Sequence, residues 1–303
     1  LHLYPTADGR IGFITRLDDI LYDARVATTM PRGTDERIVI LDIDEKSLGE
    51  IGRWPWRRDL MAETLDKLFA RYGVALVAFD VVWAERDPSS GIPVLDRLAA
   101  GELARDPAFR ASYKKLRPGL DFDARFAAAM KDRPVVLGYY FNSEARAVRV
   151  NSLPRPALPR GAFAGRNVQF HEWQGYTGNL APYVAAAAAA GHFSPVVDAD
   201  GVLRRVPLLA EFDGEYYEAL PLAVVRTYFA TRLGTAPAVE AGFRDRDLEW
   251  LSVGPLAIPV DENAAALVPY RPKGSFPYIS LADVVRDRVA PQALKGKIVL
   301  VGA

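Results

Sequence analysis

The chain has 303 residues, 50% of them hydrophobic and 25% charged, the composition of a folded domain, which excludes disorder and collagen-like repeats. Its 38 Lys and Arg balance 38 Asp and Glu, so no net field gathers a polyanion, and nucleic-acid binding is not expected. The absence of cysteine excludes thiolate chemistry, cysteine zinc sites and disulfides.

In chain order, residues 38–43 form a short apolar run ending in acids, and 74–79 form another, ending at Asp80. Between them, Met61, Leu65, Leu68, Phe69 and Tyr72 share one helical stripe, opened by Asp59 and stopped by Gly73. This predicts strand, helix, strand, with the two strands parallel, buried and joined by a right-handed crossover. Residues 84–120 predict a helical insertion. DFDARFAAAMKD predicts a further helix, and residues 134–141 a third strand. Residues 142–182, punctuated by Pro and Gly, are expected to be irregular loops.

In the second half, Asn179 and Pro182 are expected to open a short alanine-rich helix closed by Gly191. Residues 192–197 and 202–209 flank the turn sequence DADG as the arms of a hairpin would, and 256–260 and 265–270 flank Asp261, Glu262 and Asn263 likewise. Residues 217–233 are helical in pattern, with Pro221 in the first turn. Ser280 is expected to cap a last helix, and residues 297–303 to close the chain as a buried strand. The fold class is therefore α/β: a central, largely parallel sheet, helices on both faces, and added β-hairpins in the second half. A buried strand at the very end predicts a piece of a longer chain.

A long run free of Asp, Glu, Lys and Arg, 174–197, holds Asn179, Pro182, His192 and Pro195 and is otherwise rich in alanine, so it is not expected to span a membrane. The start shows no basic region followed by an apolar core, so no signal peptide is predicted.

Asp42 and Asp44 stand two apart at the end of the first strand, and Asp80 ends its neighbour. Three carboxylates are thus expected at the carboxyl edge of the sheet, where open α/β sheets bind ligands. Either they hold a cation or amine, or Arg57, Arg58 or Arg86 neutralises them. The sequence RWPWRR brings Trp54, Trp56 and Arg57 to the same edge. These could clamp an anionic or aromatic ligand, or the tryptophans could plug the sheet while the arginines pair with the acids. Weaker candidates are His192, which has nothing at metal-ligand spacing around it, and Asp198 and Asp200, whose position before Gly201 fits a turn better than a calcium loop. No metal and no cofactor is expected. The DxD after an apolar strand is similar to the nucleophile and general acid of haloacid dehalogenase-like phosphatases. Glu45, however, follows where that family has a Gly-Thr pair.

Four blocks in order, LDDILYDAR, then IVILDIDEKSLGEIGRWPWRR with ALVAFDVVW, then GHFSPVVDADGVLRRVPLL, then FPYISLADVV leading into LKGKIVLVGA, resemble the type-2 CHASE domain. That domain is a sensory extracellular module associated with bacterial cyclases and histidine kinases. The resemblance covers about residue 17 to residue 303. It implies one sensory domain over 1–303, with an N-terminal helix over 1–30 on the membrane side. It also implies a periplasmic position, anchored to the membrane by flanking transmembrane helices, with an unidentified small molecule or periplasmic partner as the signal. The domain itself would be non-catalytic. The implied cytoplasmic output is a class III adenylate or guanylate cyclase making a cyclic nucleotide, or otherwise a histidine kinase, serine/threonine kinase or diguanylate cyclase. A homodimer is implied, because class III cyclase active sites form between two chains.

Overall fold

A computed structural model describes residues 33–198, 200–272 and 274–302; the helix expected over 1–30 lies outside them. In order, the chain forms β1 (Ile38–Asp42), α1 (Glu45–Ile51) and α2 (Arg58–Asp66), which continues as a π-helical turn (Lys67–Arg71), then β2 (Leu76–Phe79). Next come α3 (Ile92–Ala100), α4 (Pro107–Leu120), α5 (Phe122–Met130), β3 (Val135–Asn142), β4 (Arg149–Val150), β5 (Gly175–Thr177), α6 (Ala181–Ala186) and β6 (Ala189–His192). The second half holds β7 (Arg205–Pro207), β8 (Leu209–Phe212), β9 (Glu215–Glu218), α7 (Leu220–Leu233), β10 (Val239–Arg244), β11 (Asp247–Val253), β12 (Leu256–Pro259), β13 (Ala265–Leu267), β14 (Tyr278–Ser280), α8 (Leu281–Val285) and β15 (Ile298–Gly302).

The central sheet runs β14-β1-β15-β2-β3-β5-β4, with β6 also paired to β3. All its pairings are parallel except that of β3 with β5. As the apolar runs predict, β15 lies between β1 and β2. Strand alternation divides its residues between two faces. Val39, Leu41, Val77, Phe79, Val299 and Val301 meet Met61, Leu65, Phe126, Leu281 and Val284 in the larger core. On the opposite face Leu76, Ala78 and Val136 meet Leu220, Ala223 and Val224 of α7. A third core, under the antiparallel sheet β10-β11-β12, gathers Phe163, Tyr216, Leu248 and Leu251.

Three local expectations are corrected. The alanine run is helical only through Ala186; Ala189–His192 leaves the helix to extend the sheet beside β3. There Gly138 and Gly191 stand side by side, and Gly191 lies so close to Leu220 that a Cβ would come within 2.5 Å of its Cα. Residues on either side of DADG do not pair with each other. Strand β7 pairs with β13, and the tight hairpin is instead β8–β9, around Asp213 and Gly214. Strand β12 likewise pairs with β11 rather than with β13. Ala189–His192 and β7 each take a partner distant in sequence, a choice that local turn chemistry does not encode, whereas β12 takes the strand just before it.

Candidate functional site

The residues 38, 40 and 42 of β1, 298, 300 and 302 of β15, 78 of β2 and Asp80 just beyond it face away from the larger core and form the floor of a cleft of about 840 Å³. One wall is α7, through Leu220, Val224, Val225, Tyr228 and Phe229; the other comes from residues 193–195 and 203–206, with Leu256, Tyr270 and Tyr278 at the rim. The lining is predominantly apolar, and Leu203, Leu256, Tyr270 and Tyr278 remain exposed.

The charged groups of the cleft fall into two kinds. Arg37 and Asp35, at the amino end of β1, pair with each other at 2.9 Å, and Arg37 lies 5.7 Å from the Tyr228 ring centre. The hydrogen bonds from Arg37 hold Asp35 down to about 2. On the far wall, Arg205 reaches Asp198 at 3.0 Å and Asp261 at 3.4 Å. At the carboxyl end, Asp42 and Asp80 flank Gly302, one on each neighbouring strand. Neither carboxylate is met by a donor or a cation among the described residues. Desolvation raises the Asp80 pKa, and no neighbouring charge opposes it.

Of the remaining sequence candidates only His192 also borders the cleft. Asp44 is the N-cap of α1: its carboxylate accepts from the Ser47 N–H and from the Ser280 hydroxyl, each at 2.8 Å. Burial pushes its pKa up, but the Ser47 and Ser280 hydrogen bonds win and hold it below the ordinary value. The capping geometry therefore takes Asp44 out of the trio, and with it the two-aspartate arrangement that the phosphatase reading needs.

Trp54 and Trp56 lie on the larger-core face of the sheet, their ring centres 5.1 Å apart, with Trp54 also 5.5 Å from Trp83. Trp56 is 4% exposed and donates its indole N–H to the Gly52 carbonyl at 2.7 Å. Arg57 pairs with Asp59 at 3.0 Å and lies over Phe122. Arg58 donates to the Trp56 carbonyl and covers Trp83 at 4.5 Å. The tryptophans thus pack the core, and Arg57 and Arg58 do not neutralise Asp42 and Asp80.

His192 is fully buried and faces Tyr139 and Phe141 in the larger core, where burial lowers its pKa to about 3. Asp198 and Asp200 close the turn before β7, and both reach the Arg204 guanidinium. No group of three or more metal-ligating side chains occurs among the described residues.

The α7 wall was not singled out by sequence motif. Its signal was present nonetheless: Leu220, Leu222, Val224, Val225, Tyr228 and Phe229 leave that helix apolar around most of its circumference. That is more than one packing face requires, and it fits a helix placed between a core and a cavity.

The CHASE2 domain profile matches residues 3–303. No curated protein and no solved structure matches the chain. The chain belongs to the CHASE2 family, whose members are sensory extracellular domains of cyclase and kinase receptors.

Proposed function

We propose that this sensor domain is the periplasmic input module of a bacterial transmembrane receptor and that it reads its signal in the cleft between the sheet and α7. The observation that carries this reading is the cleft itself: about 840 Å³, lined by apolar side chains, with unpaired carboxylates at one end. Its volume is that of a small-molecule site, and one end of it reaches the carboxyl ends of parallel strands, where open α/β sheets take ligands. A ligand touching both the strand ends and α7 favours one spacing of the two, and that differential binding is the currency of a signalling switch. The output we assign is a class III adenylate or guanylate cyclase, working as a homodimer.

The test is cyclic-nucleotide production by the full-length receptor in membranes. Val225→Trp, on a half-buried cleft wall that also borders the third core, is expected to fill the cleft and fix output at one level, with thermal unfolding measured beside it to show that the domain still folds. An unchanged signal response overturns the cleft as input site. Transfer of phosphate in place of cyclic-nucleotide production overturns the cyclase assignment.

A further inference from the structure

We infer that the cleft selects a small amphiphilic cation, an alkyl- or arylammonium whose apolar part lies along the strand floor and whose charged head sits over Gly302 between Asp42 and Asp80. The inference rests on the reading of the cleft as the input site and supplies its ligand class.

The sign of the charge follows from what is already paired. Arg37 is held by Asp35, and Arg205 by Asp198 and Asp261. An anionic ligand would have to break those pairs and would also face two unmatched carboxylates. A cation breaks nothing and answers two carboxylates that line the same end of the cleft, the half-buried Asp42 and the exposed Asp80.

The seat follows from the register. Asp42 is level with Gly302 on one side, and Asp80 with Gly302 on the other, because the Asp80 N–H donates to the Val301 carbonyl at 2.8 Å. Two strand spacings put the acids about 10 Å apart at Cα. Gly302 adds no side chain between them, and Asp80 already leans over it. A single ammonium resting on the Gly302 backbone therefore lies within reach of both carboxylates.

The apolar part has its place as well. From Asp42 back to Arg37 the floor runs five residues, roughly 16 Å of strand, through Ile40 and Ile38, with Ile298 and Leu300 beside them and α7 above. A strand packs three backbone bonds into about 3.3 Å, so this length leaves ample room for an extended chain of eight carbons. A calcium ion fits poorly, since it takes about 6 to 8 oxygen ligands and no group of three or more metal-ligating side chains gathers among the described residues.

Calorimetry on the 303-residue chain with octyltrimethylammonium, 1-octanol, octanoate and calcium chloride tests the inference. The ammonium is expected to bind at least tenfold more tightly than octanol, with octanoate weakest and calcium silent. Asp42→Asn and Asp80→Asn are each expected to lose most of that preference while unfolding at or above the wild-type temperature. Octanol binding as tightly as the ammonium overturns the cation while leaving the cleft as an apolar input site. Calcium binding that is lost in Asp42→Asn overturns it in favour of a metal. A preference that survives both Asn variants overturns the seat. If no probe binds, a protein segment or a second copy fills the cleft and the inference fails, whereas failure of the cleft as input site is read separately, from unchanged output in Val225→Trp.

Discussion

Asp80 leans across Gly302, its Cβ 3.4 Å from the point where a Gly302 Cβ would stand. That spacing is ordinary contact, so Gly302→Ala is expected to keep the fold, with a stability change within about 0.5 kcal/mol. The added methyl group would occupy the floor between the two acids. Octyltrimethylammonium affinity is therefore expected to fall severalfold, as calorimetry would show, while octanol affinity holds. Equal loss for both probes would mean a general narrowing of the cleft and not a lost seat for charge.

Two aspartates that look alike in sequence are predicted to behave differently. Asp44→Ala removes the cap of α1 and the link to Ser280, at a cost of about 1 to 2 kcal/mol. Asp42→Ala removes no hydrogen bond among the described residues and should stay within about 0.5 kcal/mol. Urea titrations of both variants check this. The pH dependence of the Asp44 contribution has a definite sign: its native pKa is depressed. The stabilisation is thus present above the unfolded value of about 3.9 and is lost as pH falls through the lower native value.

Asp80 has the opposite sign. Desolvation raises its native pKa, so between the unfolded and native values the folded chain binds the proton more strongly. Its contribution to stability falls as pH rises through that window, and the penalty is complete above it. Asp80→Asn is accordingly expected to raise the unfolding temperature at pH 7 and to lose that advantage below about pH 4. A variant that melts earlier than wild type at pH 7 would reveal a partner for this carboxylate.

The RWPWRR sequence is predicted to matter for stability and not for ligand. Trp56→Ala opens the larger core and breaks the bond to Gly52, costing about 3 to 5 kcal/mol. Arg57→Ala takes one partner from the buried Asp59, which keeps Arg125 at 3.8 Å, and should cost about 1 to 3 kcal/mol. Neither side chain lines the cleft, so ammonium affinity in the folded Arg57→Ala variant should equal wild type.

The sheet was legible in the sequence because IVILD, LVAF and IVLVG are apolar on both faces, as parallel strands are; only LVAF is buried on both, while the second faces of IVILD and IVLVG line the cleft. Asp42 and Asp80 were legible for the same reason, since each ends such a run. Asp44 was grouped with them because spacing alone does not reveal that β1 pairing ends at Asp42 and that Ser280, 236 residues on, supplies a donor. Similarly, Ala189–His192 reads as helix from its alanines, and its placement in the sheet depends on contacts with β3 that no local pattern records.

Those contacts set the last prediction. Gly191 lies under the first residue of α7, where a Cβ would fall 2.5 Å from the Leu220 Cα and 2.6 Å from its N. Backbone atoms cannot rotate aside, so Gly191→Ala must push α7 off the sheet, at a cost of about 1 to 3 kcal/mol by overpacking. Gly49, in α1, has open space around its Cα, and Gly49→Ala should instead gain about 0.5 to 1 kcal/mol through helix propensity. Because α7 is one wall of the cleft, the Gly191 variant should also shift the basal cyclic-nucleotide output of the full receptor, which Gly49→Ala should leave unchanged. Thermal melts and output measured together decide the matter: a destabilised Gly191→Ala domain with wild-type basal output would uncouple the position of α7 from signalling.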